Sequence, residues 1–292
     1  MAVEDKHIIQ SPPAWLWEKL TAAQQDVGSA GADEYWSRRA ASGGVPAVRR
    51  IGLADLREAL ARGLGDFAAS RTDIVFVCIM YPVAGLLLGN LASGAGFLPL
   101  LFPLASGFAL LGPFAAVGLT EMSRRREQGL VIRWFDALGV LTAPAIGAIA
   151  LYGLTLIGVL LAWLACAQWI YAATLGPLPP DSVADFARDV LTTTPGHVMM
   201  AFGVGVGFLF AAGVLVTGVV TIPLLLDRPV SMRTAMLTSL HAAQRNPLEI
   251  ALWGLIVVAL LVLGSLPALL GLVVVMPVLG HATWHLYRRL VV

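Results

Sequence analysis

Four long stretches of this sequence contain no aspartate, glutamate, lysine or arginine. They run from Ile74 to Thr120, from Ala137 to Pro180, from Val190 to Leu226 and from Ile250 to Gly280. Each stretch is longer than the roughly 20 apolar residues that cross the hydrocarbon core of a bilayer. Over the whole chain 58% of the residues are hydrophobic and only 13% are charged. This composition predicts an integral membrane protein.

Six transmembrane helices are predicted, at about residues 74–92, 97–121, 138–170, 197–225, 249–265 and 268–287. The segments must be helical, because unsatisfied backbone groups cost several kcal/mol in lipid and the alternating pattern of barrel strands is absent. The third and fourth are longer than a bilayer needs. Pro144 and Pro223 near their ends predict kinks, tilt or extensions beyond the hydrocarbon. The predicted fold class is therefore all-α, a bundle of six transmembrane helices within a domain of residues 51–292.

Basic residues fall almost entirely on one side of the predicted spans. Of the 19 lysines and arginines, 18 belong to the N-terminal tail, to the loops after the second and fourth spans, or to the C-terminus. Only Arg188 lies in a loop on the opposite side. Because lysine and arginine accumulate on the cytoplasmic side of membrane proteins, both termini are predicted to be cytoplasmic.

The N-terminal part of the chain is polar. Residues 1–50 are rich in alanine, glycine and serine, which predicts a partly disordered cytoplasmic tail. In "LADLREALARGLGDFAASRTDIVF", which follows, one helix side is predicted to be apolar (Leu56, Leu60, Leu64, Phe67) and the rest charged (Arg57, Glu58, Arg62, Asp66). We predict an amphipathic elbow helix on the cytoplasmic surface, with a soluble helix packed on the tail as the alternative. A similar segment, "MRTAMLTSLHAAQRNPLEI", precedes the fifth span.

Two histidines near the C-terminus, His281 and His285, have a spacing that suits a single transition-metal ion. A third and a fourth ligand are missing, and the surrounding Trp284, Tyr287 and Arg288 are typical of a helix that leaves the bilayer. We therefore assign no metal and no cofactor to the chain.

The second, fourth and sixth spans end alike, with a proline followed by a polar residue near the cytoplasmic boundary. The candidate cytoplasmic-face polar site consists of Glu121, Asp227, Arg228, His281 and His285. Such ends could converge on a vestibule that binds a head group or a small solute. The alternative is that they are helix termini paired with neighbouring arginines.

Other patterns point to packing rather than to chemistry. Gly203, Gly207 and Ala211 repeat every four residues in the fourth span, as in close helix packing. Cys78 and Cys166 both lie in apolar stretches and predict neither a disulfide nor a zinc site. No phosphate-binding loop, serine nucleophile motif or zinc-protease signature is present, so no catalytic residue is assigned and an enzyme is not expected.

Several segments resemble a known family. These are "DLREALARGLGDFAASRTDIVF", "LPLLFPLASGFALLGPFAAVGLTEMSRRREQG", "PLLLDRPVSMRTAMLTSLHAAQRNP" and "PVLGHATWHLYRRLV". Together they resemble the bacterial integral membrane family catalogued as domain of unknown function 2189, over roughly residues 50–292. The resemblance implies a six-span protein of the bacterial inner membrane without an assigned activity.

Three classes of function fit these observations. The first is a non-enzymatic interaction or lipid-contacting membrane protein, whose partners are the lipid bilayer and, as an alternative, another membrane protein complex. The second is a carrier or channel for a small, largely apolar solute. The third is a metal- or haem-binding membrane protein with its site at the cytoplasmic face. Nothing in the sequence points to nucleic acid.

Overall fold

In the computed structural model of this protein the described residues are 44–69, 98–100, 103–104, 116–130, 139–141, 143–178, 180, 182–266 and 270–292. They belong to a compact unit that extends from Gly44 to Val292. The first predicted span, most of the second, Cys78 and the predicted tail as far as residue 43 lie outside the described residues.

The described residues form nine α-helices. In chain order they are α1 (Leu53–Ala69), α2 (Val117–Glu127), α3 (Ile146–Thr174), α4 (Val183–Thr192), α5 (Thr194–Gly218), α6 (Thr221–Asp227), α7 (Met232–Arg245), α8 (Pro247–Ser265) and α9 (Leu272–Leu290). The all-α class predicted from the sequence is therefore confirmed. In this part of the chain the β-type pairing consists of one isolated bridge, between Val48 and Val291.

Three described segments are long and apolar enough to cross a membrane: Ile146–Thr174, Thr194–Asp227 and Pro247–Ser265. They coincide with the third, fourth and fifth predicted spans. α9 overlaps the sixth predicted span, but its C-terminal half carries polar residues and it is not one of the three. The described residues thus contain three candidate membrane-spanning helices, while the number of six and the orientation of the termini stay predictions.

The fourth predicted span is interrupted near its end. α5 stops at Gly218 and α6 starts at Thr221, with a turn at Val219 and Val220. The cause is Pro223, because a proline has no N–H and its ring collides with the carbonyl four residues earlier. Ser239 of α7 occupies the gap: its hydroxyl donates to the Val216 carbonyl (2.7 Å) and lies 3.4 Å from the Val220 amide nitrogen, which donates to it.

The third predicted span begins later than expected. The prediction started this helix at residue 138, whereas α3 begins at Ile146 and ends at Thr174. Residues 139–141 instead form a short 3-10 turn, and Pro144 lies just before the helix. A proline inside a helix would remove a backbone hydrogen bond, so the chain places Pro144 ahead of the first turn.

Helix α9 is contacted closely by two other helices through glycines. A Cβ atom on Gly63 of α1 would lie 2.7 Å from the Val278 carbonyl oxygen and 2.7 Å from the Ala282 Cβ atom of α9. A Cβ atom on Gly280 of α9 would lie 2.9 Å from a methyl carbon of Leu119 in α2. Small residues let helix backbones approach in this way, so α9 lies between α1 and α2.

The buried face of α1 combines one large apolar residue with small residues and a carboxylate. Its buried residues are Leu56, Ala59, Gly63 and Asp66. Leu64, on the side predicted to be apolar, is 53% exposed in the structure. Asp66, expected on the charged outer side, is only 9% exposed. The close crossing at Gly63 fixes which face meets α9, and Asp66 is buried because it finds hydrogen-bond partners there.

The segment that precedes α1 is fastened to the C-terminus and to the turn between α7 and α8. Val48 pairs with Val291 in the isolated antiparallel bridge. The Asn246 side chain, 1% exposed as a residue, donates to the Arg49 carbonyl at 3.1 Å and accepts from the Ile51 amide at 2.9 Å. These bonds involve the segment before α1 and help to position α1 against α9, in addition to the contacts made by the side chains of α1 itself.

Candidate polar site at the basic end of the bundle

The C-terminal parts of α2, α6 and α9 meet at one end of the bundle. Arg288 of α9 forms ion pairs with Glu127 of α2 (3.1 Å) and with Asp227 of α6 (3.8 Å). We call this the basic end and define it by Arg124, Arg228 and Arg288. The sequence pattern predicts that the basic end faces the cytoplasm.

Glu121 lies at the basic end and is 3% exposed. Arg124 donates to both of its carboxylate oxygens, at 2.7 and 2.8 Å, and Arg125 donates to Glu121 Oε1 at 2.8 Å. A two-pronged guanidinium–carboxylate contact is among the stronger ion pairs in proteins. The hydrogen bonds to Glu121 raise the pKa of Arg124 against the opposing effect of burial, and the Asp227 carboxylate adds to the rise. Glu121 is thus held by its own helix.

Asp227 ends α6 and joins it to α9. The Tyr287 hydroxyl of α9 donates to Asp227 Oδ2, and the neighbouring Arg228 places its Nε atom 3.5 Å from the same oxygen. Asp227 also influences Arg124, as described above, so it lies near the Glu121 ion pair. The two carboxylates that end the second and fourth predicted spans therefore both raise the pKa of Arg124.

A second polar group, the histidine cluster, consists of Asp66, Ser123, His281 and His285. The Ser123 hydroxyl donates to Asp66 Oδ2 at 2.6 Å and lies 2.8 Å from His281 Nδ1. His285 Nε2 lies 2.9 Å from the same Asp66 oxygen. The cluster therefore connects α1, α2 and α9 through side chains.

The protons of the cluster can be assigned by counting. A serine hydroxyl carries one proton, and Ser123 gives it to Asp66, so His281 Nδ1 must donate to the serine oxygen. His285 Nε2 likewise donates to the carboxylate, which has only acceptors when ionised. Burial by itself would raise the pKa of Asp66, but the hydrogen bonds from His285 and Ser123 and the nearby histidine charges outweigh burial and lower it. Asp66 is thus an ionised carboxylate.

A serine beside a histidine invites comparison with a nucleophile and its general base. Ser123 and His281 are each 1% exposed, however, and the serine oxygen already binds two partners. Ser123 also lines the cavity described next, but its oxygen is engaged by both Asp66 and His281. Among the described residues no group of three or more histidine, cysteine, aspartate or glutamate side chains could hold a metal ion.

A cavity of about 390 Å³ opens between α1, α2 and α9 beside the histidine cluster. Its charged lining comprises Arg62, Asp66, Arg126, Glu127 and His285. The Arg62, Arg126 and Glu127 side chains are 56%, 39% and 41% exposed, respectively, and form the rim. The Asp66 and His285 side chains, each 12% exposed, form the floor. Cavities of roughly 300–1,000 Å³ are typical of small-ligand sites.

The five residues predicted as a site separate into two groups. Glu121, Asp227 and Arg228 belong to the arginine pairs of the basic end, and His281 and His285 belong to the histidine cluster. Of the five, His285 lines the described cavity. Pairing with neighbouring arginines, the alternative considered from the sequence, describes Glu121 and Asp227 well.

The sequence reasoning missed three residues that complete the site: Asp66, Ser123 and Arg126. Asp66 shares a helix face with Ala59 and Gly63, and a carboxylate that continues a run of small residues was the available signal. Ser123 and Arg126 stand in the "TEMSRRRE" segment, which the sequence pattern assigns to the end of the second span and the basic loop after it. No spacing within one helix identifies partners that come from three helices.

The predicted packing stripe on α5 has mixed surroundings. Gly207 packs under an aromatic ring, because a Cβ atom there would lie 3.1 Å from Trp163 of α3. A Cβ atom on Gly203 would meet nothing within 4 Å, and Ala211 is exposed. The role of the stripe as a whole stays a prediction.

The apolar helices and the polar groups collected at one end together define an integral membrane protein. A family model described as "Predicted integral membrane protein (DUF2189)" matches residues 101–227, which confirms the resemblance over that part of the chain. The match includes Glu121, Ser123 and Asp227 but neither Asp66 nor the two histidines of α9. No curated protein and no solved structure matches the chain significantly.

Proposed function

We propose that this chain is a non-enzymatic, lipid-contacting protein of the bacterial inner membrane, with six spans and both termini in the cytoplasm. The observation that supports this proposal most is that apolar and charged side chains lie on different parts of the protein. Apolar side chains cover the spanning helices, while the described charged groups of the basic end are bound largely to one another.

The spanning helices expose more apolar surface than a protein surrounded by water tolerates. Only 17% of the most apolar window of α8 is buried. Leu255 and Leu263 of this helix are 63% and 60% exposed, and Phe202 and Phe208 of α5 are 62% and 69% exposed. In a bilayer these side chains contact acyl chains or the helices of a partner protein.

The polar groups at the basic end support a role in contacting lipid or protein rather than a role in catalysis. Glu121 accepts three hydrogen bonds from two arginines, and Asp227 accepts from Tyr287. Ser123, the best-placed hydroxyl, is buried. The groups that remain open to solvent include the ends of arginine side chains, which suit the boundary between lipid and water.

Topology is tested by cysteine labelling in cells, in a background that lacks Cys78 and Cys166. Gln128→Cys, after α2, and Ala187→Cys, on α4, both stand at exposed positions. A membrane-impermeant maleimide should label residue 187 in intact cells and residue 128 only after permeabilisation. Labelling of both from the same side, or a protein that stays in solution without detergent, would refute the proposal.

The interaction role is tested by purifying the full chain in mild detergent and identifying bound molecules by native mass spectrometry. Phospholipid or a stoichiometric membrane partner is expected. A tightly bound metal ion or haem, lost in His281→Ala, would instead favour the redox class.

A further inference from the structure

We propose that the cavity between α1, α2 and α9 binds a phosphoethanolamine group, a phosphate diester that carries a primary ammonium, presented by a membrane lipid. This inference rests on the proposed lipid-contacting function and names the head group that the basic end recognises.

The charges around the cavity are balanced in sign. Besides His285, which is bonded to Asp66, Arg62 and Arg126 contribute two cations, and Asp66 and Glu127 contribute two carboxylates. An excess of arginine would favour a purely anionic head group, and an excess of carboxylate would favour a cation. A rim with both positive and negative side chains complements a ligand that has both a negative and a positive group. Such electrostatic complementarity favours one ligand over another.

The side chains of the rim, unlike those of the floor, are available to bind a ligand. On the floor, Asp66 Oδ2 already accepts from Ser123 and His285, and its Oδ1 atom lies 3.5 Å from Arg126 Nε, too far for a short hydrogen bond. Arg126 also donates through Nη1 to the Asp66 carbonyl oxygen at 3.2 Å. A guanidinium has five N–H donors, so the others can bind a phosphate. Arg62, paired with Glu58 at 2.7 Å and 56% exposed, can do the same. Arginine suits this task because its planar fork binds phosphate oxygens in pairs.

Glu127 is suited to the ammonium group. Its two oxygens accept one bond each, from Trp284 Nε1 at 2.7 Å and from Arg288 Nε at 3.1 Å. A carboxylate oxygen has two acceptor positions, so each can take a further N–H donor. A primary ammonium supplies such donors, whereas the quaternary ammonium of choline has none.

The space for the head group is provided by Gly65. This residue lines the cavity, and a Cβ atom on it would meet nothing within 4 Å. A larger side chain at residue 65 would therefore extend into the cavity without colliding with the protein. Beside it Leu64 is 53% exposed. This apolar side chain next to a polar cavity suits a molecule with an acyl chain attached, which favours a lipid over a free phosphoethanolamine compound.

The test compares Gly65→Leu with Gly147→Leu. Gly147 lies in α3, is exposed, and likewise has nothing within 4 Å of an added Cβ atom, so it controls for the glycine-to-leucine change itself. The full chain in detergent is titrated with short-chain phosphatidylethanolamine, phosphatidylglycerol and phosphatidylcholine, and in separate arms with glycerophosphoethanolamine and inorganic phosphate. Binding is read by native mass spectrometry.

Phosphatidylethanolamine should bind the wild type and Gly147→Leu equally, and Gly65→Leu about tenfold or more weakly. Phosphatidylcholine should bind more weakly than phosphatidylethanolamine. In Glu127→Gln the preference for phosphatidylethanolamine over phosphatidylglycerol should disappear while binding of both persists, because the arginines remain. Thermal unfolding of each variant verifies that it is folded.

Three results would overturn the assignment. These are equal binding of phosphatidylglycerol and phosphatidylethanolamine by the wild type, binding that Gly65→Leu leaves unchanged, and the absence of any lipid binding. If glycerophosphoethanolamine binds as tightly as the lipid, the ligand is a free solute and the lipid source is wrong. If lipids bind with no head-group preference, the assignment of the cavity is wrong but the proposed lipid contact stands. If the protein is soluble without detergent, both the cavity assignment and the proposed function are wrong.

Discussion

Replacing Asp66 with alanine should loosen the contact between α1 and the rest of the bundle. The carboxylate accepts from Ser123 of α2 and from His285 of α9, so one side chain joins three helices. Its removal leaves both donors facing an alanine methyl group. A buried donor that loses its acceptor costs about 1–3 kcal/mol.

The cost should lie below the sum of two lost bonds. Ser123 can turn its proton toward His281 Nδ1, 2.8 Å away, if that histidine changes tautomer. His285, with 12% of its side chain exposed beside the cavity, can bond to water. We therefore expect a loss of about 2 kcal/mol in the free energy of unfolding. For a protein of this size that corresponds to a fall of roughly 4–8 °C in Tm.

The pH dependence of the free energy of unfolding gives a second measure of the contribution of Asp66. The folded-state pKa of Asp66 is lowered, so its ionised form stabilises the protein fully above the unfolded-state pKa of about 3.9. That contribution is lost as the pH falls through the folded-state pKa. Asp66→Asn keeps one acceptor but has no proton to bind. The stability difference between wild type and Asp66→Asn should therefore shrink below about pH 4.

The assay is thermal unfolding in detergent, followed by tryptophan fluorescence between pH 3 and pH 7. Asp189→Ala, at an exposed carboxylate of α4, is the control and should change stability by less than about 0.5 kcal/mol. If Asp66→Ala unfolds like this control, or if the difference between wild type and Asp66→Asn is independent of pH, Asp66 does not join the helices as argued.

Three further substitutions test the packing that surrounds the site. Gly63→Ala should lower Tm, because the added methyl group would lie 2.7 Å from the Val278 carbonyl oxygen, and overpacking costs about 1–3 kcal/mol; an unchanged Tm would contradict the close crossing. Ser239→Ala should cost a similar amount in thermal unfolding, about 1–3 kcal/mol, since it deprives the break between α5 and α6 of its hydroxyl. Asn246→Ala should speed hydrogen exchange at the Ile51 amide by detaching the segment before α1; exchange at the wild-type rate would show that other contacts hold this segment.

Much of the helical architecture could be predicted from the sequence, because hydrophobicity over 20 residues is a property of a single segment. The helices at Ile146–Thr174 and Pro247–Ser265 follow from that property alone. The interruption before Pro223 is also local, since proline acts on the carbonyl four residues earlier. The hydroxyl of Ser239 that fills it comes from another helix and has no local signature.

The site was harder to predict for the same reason. His281 and His285 were recognisable as a pair because they share one helix face. Asp66, the hydrogen-bond partner of His285, lies more than 200 positions away and was predicted on the charged side of its helix. Gly63 determines which face of α1 packs against α9. An amphipathic pattern based only on large apolar residues does not include this glycine.

The ion pairs at the cavity also fix how tightly a head group can bind. Arg62 is paired with Glu58, and Arg126 lies near Asp66, so a phosphate gains these arginines only by exchanging one ion pair for another. Exposed pairs are worth about 0.2–1 kcal/mol, so the exchange is nearly balanced in energy and readily reversed. Such a site suits a lipid that surrounds the protein at high local concentration. It also implies that the affinity falls as salt is raised, since screening acts most strongly on exposed charges. Phosphatidylethanolamine binding that is unaffected by salt between about 0.05 and 0.5 M would place the recognition elsewhere than at these arginines.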